Sequence, residues 1–265
     1  MLIPVLSVQQ ATAQSLRKLL QQNAHIESKW ENNAQGDLEL NYYNDDFCDY
    51  YLHRENDRSY KLSVGKNTVF TKRKNSHTEN PFQNPTKYRF YRGQFPKDFQ
   101  VNTPYALPVK NGTETAWKTD LREPFKTLNF RVQQGDTIYA TRSGVACRTS
   151  HPKQLLLYHA DRTFAAYLVM DENFIKPGDN VLTGQAIGIA GSTGVSISCF
   201  FLDENKFEGG IHTGHPYSHF VPVFRVDEGD LKLEEKKKYR AVIDDALIMQ
   251  DMSKREQKRY LKNKK

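Results

Sequence analysis

The stretch Ile175-Lys-Pro-Gly-Asp-Asn-Val-Leu-Thr-Gly-Gln-Ala-Ile-Gly188 decides how this chain folds. Two short apolar pieces, Asn180-Val-Leu182 and Ala186-Ile-Gly-Ile-Ala190, are parted by Thr183-Gly184-Gln185 and preceded by Pro177-Gly178. Proline fixes φ and glycine reaches positive φ, so both breaks turn the chain too sharply for a helix to continue. The rhythm repeats outward, in Thr137-Ile-Tyr-Ala140, Gly144-Val-Ala-Cys147, Leu155-Leu-Leu-Tyr-His159 and Thr163-Phe-Ala-Ala-Tyr-Leu-Val169. Gly135, Gly144, Gly178, Gly184, Gly188, Gly191 and Gly194 punctuate it. Short strands joined by tight turns predict a mostly β chain with an antiparallel roll or barrel.

Further from this centre the pattern changes twice. Leu16, Leu19, Leu20 and Ile26 recur at helical intervals between Gln9 and Trp30, which predicts an amphipathic N-terminal helix within residues 1–35. From Gly36 the period becomes that of strands. Leu38–Tyr42, Phe47–Leu52, Tyr60–Val64, Thr68–Thr71 and Tyr88–Arg92 are aromatic or β-branched and separated by polar turns. They predict a small β-sandwich-like module over 36–102. A peptidase-sized β domain follows over 103–228, with strands giving out near Arg225, and a basic helical extension over 229–265.

The chain has 265 residues, among them 15 Phe, 14 Tyr and 2 Trp, enough bulk for a sizeable core. No run reaches the roughly 18 apolar residues of a membrane-spanning helix. The net charge of +7 is concentrated at one end, where residues 232–265 hold twelve basic and six acidic residues. The body is therefore nearly neutral, which argues against a nucleic-acid-binding surface. The basic-aromatic run Lys87-Tyr-Arg-Phe-Tyr-Arg92 is explained by a half-buried strand. Cys48, Cys147 and Cys199 lack any CxxC spacing, so a disulfide framework or a cysteine zinc site is not expected, and at most one bridge is open to them. Met1–Val8 is apolar, and Ala11-Thr-Ala13 is a small-residue triplet of the kind that precedes a secretory cleavage, so residues 1–13 read as a signal remnant. An ordinary lead-in is the competing reading.

Four phrases in series, Gly135–Val145, Leu157–Tyr167, Ile175–Gly188 and Gly191-Ser-Thr-Gly194, resemble the lysostaphin-type (LytM-like) zinc endopeptidases, which cut peptidoglycan cross-bridges. The likeness spans roughly Tyr105 to Arg225 and implies that family's fold. The third phrase also suits biotinyl and lipoyl carriers, but no modifiable lysine stands where those need one.

The resemblance implies zinc, held by a His and an Asp in an HxxxD phrase and by the second His of an HxH phrase. Counted from Gly135, the first phrase falls on Phe125 and Asn129; counted from Ser192, the second falls on Phe200 and Leu202. A further histidine, of a Tyr-x-His phrase, is replaced by Val169 after Tyr167. Zinc needs lone-pair donors and an open position for water. Phe, Val and Leu have none and an Asn amide is a poor one, so neither a zinc cofactor nor a catalytic residue is expected. These positions are predicted to form an apolar groove floor, with Tyr167, His159, Cys199 and Tyr217 as groove-edge candidates.

Gly210–Phe220 carries His212, His215 and His219, three imidazoles that could form a facial metal site; a solvated loop is the plainer reading, since Gly214 and Pro216 bar a helix that would align them. The expected function is a catalytically inactive peptidase-like protein of the bacterial cell envelope, periplasmic or secreted. It would bind cell-wall polymer or a partner such as an amidase, and its basic tail is a candidate contact for an anionic surface. The alternative is a cell-wall metallohydrolase with its metal relocated to His212, His215 and His219.

Overall fold

The computed structural model of the chain describes residues 16, 19–20, 25–54, 58–74, 80–82, 87–97, 99–100, 102–120, 126–210 and 216–264. The N-terminal part is built from β1 (Ile26–Asn32), β2 (Leu38–Asn44), β3 (Tyr50–Arg54), β4 (Tyr60–Leu62), β5 (Gly65–Lys72) and β6 (Tyr88–Arg92). They form two antiparallel three-stranded sheets, ordered β1-β2-β5 and β4-β3-β6. Rings bridge the two, with Tyr42 of β2 set edge-on to Phe90 of β6 at 6.2 Å.

Ile26–Trp30 is strand, where the leucine spacing predicts the end of a helix. All seven residues of β1 pair with β2, Ile26 opposite Asn44 through Asn32 opposite Leu38. A neighbouring edge that satisfies a whole row of backbone groups overrides weak helical propensity. Further upstream, Leu16, Leu19 and Leu20 are helical and buried, as their spacing requires.

The remainder begins with β7 (Pro104–Ala106), β8 (Glu114–Asp120), β9 (Thr127–Phe130), β10 (Thr137–Tyr139), β11 (Gly144–Ala146), β12 (Leu155–Tyr158) and β13 (Phe164–Leu168). It continues with β14 (Met170–Asn173), β15 (Asn180–Val181), β16 (Ala186–Ala190) and β17 (Val195–Leu202), and then the short helix α1 (Glu204–Gly210). After it come β18 (Tyr217–Phe220), β19 (Val223–Val226), β20 (Gly229–Leu231) and β21 (Lys238–Arg240). The largest sheet has the order β15-β11-β12-β13-β17-β9-β8-β21, with β18 also on β17. The fold is mostly β and antiparallel, as the turns require. Among the described residues the large sheet is open rather than a closed barrel, and the β7–β19 pair is parallel.

Strands do not stop at Arg225. β20 returns on β19, and β21 lies on β8 at the end of the large sheet. Lys238-Tyr239-Arg240 alternates exposed, buried, exposed, a strand pattern that two adjacent charges conceal in a composition count. Only then do helices α2 (Asp245–Met249) and α3 (Lys254–Asn263) follow.

Two cores lie on opposite faces of the large sheet. One gathers Tyr105, Trp117, Phe130, Tyr167, Ile197, Cys199 and Phe224, all from beyond residue 102. The other joins Leu16, Leu19, Leu40, Tyr50 and Leu52 of the N-terminal part to Leu156, Phe164, Phe200, Leu202 and Tyr217 of the sheet. The boundary read at residues 102–103 therefore separates two sequence patterns that share one core.

Candidate functional site

β17 is the element that positions the site. Its alternation sends Val195, Ile197 and Cys199 into the first core and Phe200 and Leu202 into the second. β9 pairs with its first half, placing Asn129 opposite Ser196, and β18 with its second, placing His219 opposite Phe200. On the other side β13 brings Phe164 opposite Phe200.

Asn129 thus stands opposite Ser196, while Phe200 and Leu202 lie further along the same face of β17, roughly 13 and 20 Å from Ser196 at about 3.3 Å per residue. Phe125 lies outside the described residues. The Asn129 amide oxygen accepts from the Ser196 hydroxyl at 2.5 Å. Phe200 is fully buried, stacked on Phe164 with centroids 5.2 Å apart and met edge-on by Tyr217 at 5.6 Å. Leu202 is also fully buried, and Val169, at φ +62°, packs partly against the same core.

At Phe200 and Leu202 this face is not the floor of a groove. The N-terminal part covers it. Gly93, at φ +91°, brings its backbone so near Phe164 that a Cβ there would lie 2.8 Å from the ring. The Tyr217 hydroxyl accepts from the Arg92 backbone N–H at 2.9 Å and donates to the Arg92 carbonyl at 3.2 Å. The physical reason is that a row of large apolar side chains on one sheet face must be shielded from water, each contributing roughly 1.5–3 kcal/mol when buried. The aromatic N-terminal part supplies the shield.

The four groove-edge candidates are buried too, so none lines an opening. Tyr167 points into the first core, its hydroxyl accepting from Thr141 N–H at 2.7 Å. Cys199 is in that core as well, and burial pushes its thiol up to about 12, which leaves it an inert apolar group at neutral pH. Tyr217 belongs to the second core. His159 meets the Ser143 carbonyl through Nδ1 at 2.7 Å, and burial with the nearby Arg142 cation lowers it to about 4. It is a neutral structural imidazole.

Of the three clustered histidines, His212 and His215 lie outside the described residues. His219 is on β18, its Nδ1 3.0 Å from the Ser198 hydroxyl, which also lies 2.8 Å from the Lys126 carbonyl. Ser196 and Ser198 carry no motif that marks them in the sequence. They stand at alternate positions of β17 before Phe200, and that alternation is the signal that places them on the same face.

Residues 123–202 match the model of Peptidase family M23. The resemblance carried by the four glycine-bearing phrases is borne out over that stretch. A crystal structure assigned to peptidase M23 from Pseudomonas aeruginosa is similar at 13% identity, covering 67% of this chain and 83% of that one with a TM-score of 0.32. So low a score supports no transfer of detail. No curated protein matches the chain.

The zinc of the M23 resemblance does not fit the described residues at the counted positions. A tetrahedral site needs three deprotonated or neutral donors. The described positions offer one amide engaged with Ser196 and three hydrocarbon side chains under an apolar cover. These described positions do not make a zinc site.

Proposed function

We propose that this chain is a catalytically inactive M23-type protein of the bacterial cell envelope, periplasmic or secreted, that works as a binding or regulatory module. The observation supporting this reading is that Phe200 and Leu202 belong to a core shared with the N-terminal part, with Val169 packed against it. A hydrolase needs that sheet face open to a peptide and to water; in this chain Phe200 and Leu202 lie in the middle of a core. Cell-wall polymer or an envelope protein such as an amidase is the proposed partner. The surface left for it includes α3, an exposed helix of sequence Lys-Arg-Glu-Gln-Lys-Arg-Tyr-Leu-Lys-Asn, suited to an anionic surface.

The test is a clearing assay on purified cell walls with and without added zinc, alongside co-sedimentation with the same walls. The expected result is no clearing in either condition, with the protein in the wall pellet or held by an envelope partner. Metal-dependent clearing would overturn the reading; if His215→Ala abolished it, the relocated centre at His212, His215 and His219 would replace it.

A further inference from the structure

We propose that Cys48 and Cys147 form a disulfide that staples the N-terminal part to the large sheet. Cys48 lies in the bend between β2 and β3, and Cys147 directly follows β11. The two come from opposite sides of the boundary at residues 102–103, yet their sulfurs and a carboxylate oxygen of Asp46 lie within 4.8 Å of one another, all buried. The backbone around them is already tied across the junction. Arg148 N–H donates to Asp46 Oδ1 at 2.8 Å, and Arg92 Nη2 donates to the Arg148 carbonyl at 2.8 Å.

The alternative occupant of such a trio is a metal ion, and Asp46 argues against it. Its Oδ1 accepts from the backbone N–H groups of Phe47 and Arg148, both at 2.8 Å. Its Oδ2 accepts from the Tyr50 hydroxyl at 2.6 Å and the Cys48 thiol at 3.7 Å, and faces Arg92 Nη2 at 3.4 Å. A carboxylate with so many donors, next to a buried guanidinium, has little left to offer a cation. Two thiols need no such donor: joining them removes both S–H groups and leaves no charge behind.

The step is thiol–disulfide exchange with a small disulfide such as oxidised glutathione. One cysteine thiolate attacks the oxidant and releases one reduced thiol; the second cysteine attacks the mixed disulfide and releases the other. Two protons leave the protein, and the two electrons reduce the oxidant. Because burial pushes the Cys48 thiol well up, the exchange belongs to the folding chain, before the junction closes. Cys199 sits in the other core and serves as an internal control.

The wild-type chain is unfolded, refolded in mixed reduced and oxidised glutathione, alkylated in denaturant and digested without reductant. The expected result is one linked peptide pair, Cys48 with Cys147, lighter by two hydrogens, with Cys199 alone alkylated. The oxidised protein should also unfold at higher urea than the reduced one, a difference that Cys147→Ser abolishes. Alkylation of both Cys48 and Cys147 in folded, oxidatively refolded protein, a bridge to Cys199, or a chelatable metal holding the two thiols would each overturn the proposal. None of these outcomes bears on the clearing assay, so the two readings fail separately.

Discussion

Phe200 shows what one side chain does at a position that counting from Ser192 places in the HxH phrase. It is fully buried between Phe164, Tyr217 and His219, so it contributes packing where an imidazole would contribute a lone pair. Phe200→Ala should cost about 3–5 kcal/mol, since neighbouring rings cannot collapse fully into the space, and urea unfolding measures it. His159 works in the opposite sense, as a polar group kept neutral. Its unfolded-state value is near 6.5 and its folded value about 4, so between those limits the unfolded chain binds more protons. Stability should therefore fall as pH drops from about 6.5 to about 4, by on the order of 3 kcal/mol. Asp161 is held below the usual carboxylate range beside Arg142, against the opposing effect of its own burial, so its share is lost only at lower pH. Unfolding midpoints across this range, compared with His159→Gln, should show a flatter slope in the variant.

The C-terminal elements are held by charge as well as by strand pairing. Arg142, nearly buried, donates from Nε and Nη2 to Asp251, at 2.9 and 2.7 Å, and from Nη1 to Asp161 at 2.8 Å. It thereby locks the α2–α3 junction onto the sheet. Arg142→Met would leave two partly buried carboxylates uncompensated and should cost about 3–5 kcal/mol, read from chemical denaturation. Helix α3 stands on different support. Its residues are not buried, and its start rests on a capping box in which the Ser253 hydroxyl accepts from Glu256 N–H and the Glu256 carboxylate accepts from Ser253 N–H. Ser253→Ala should destabilise that helix by about 1 kcal/mol, visible as faster amide exchange in α3 with the sheet unchanged.

At the scale of the molecule, the N-terminal part and the large sheet share one hydrophobic core. Removing residues 1–102 would expose Phe164, Phe200, Leu202 and Tyr217 together on one face. A patch of that kind drives association in a soluble chain. The truncated protein should bind a dye for exposed apolar surface and aggregate at concentrations where the full chain does not. A monomeric, dye-silent fragment would show that the cover is dispensable.

Much of this was legible in one dimension. The turns at Pro177-Gly178 and Thr183-Gly184 and the strands they bound are local events, set within a few residues by the allowed φ of proline and glycine and by side-chain alternation. That Asn129, Val169, Phe200 and Leu202 are neither histidine nor carboxylate was equally legible, because it is a matter of residue identity. What those hydrocarbons face was not. Whether an apolar sheet face is a groove floor or the centre of a core depends on which distant segment covers it, and the strand of β1 depends on the edge that β2 offers. The same holds for Arg142 finding Asp251 and Cys48 meeting Cys147. Such pairings arise from burying the most apolar surface at once over the whole chain, a sum in which no local stretch carries the answer.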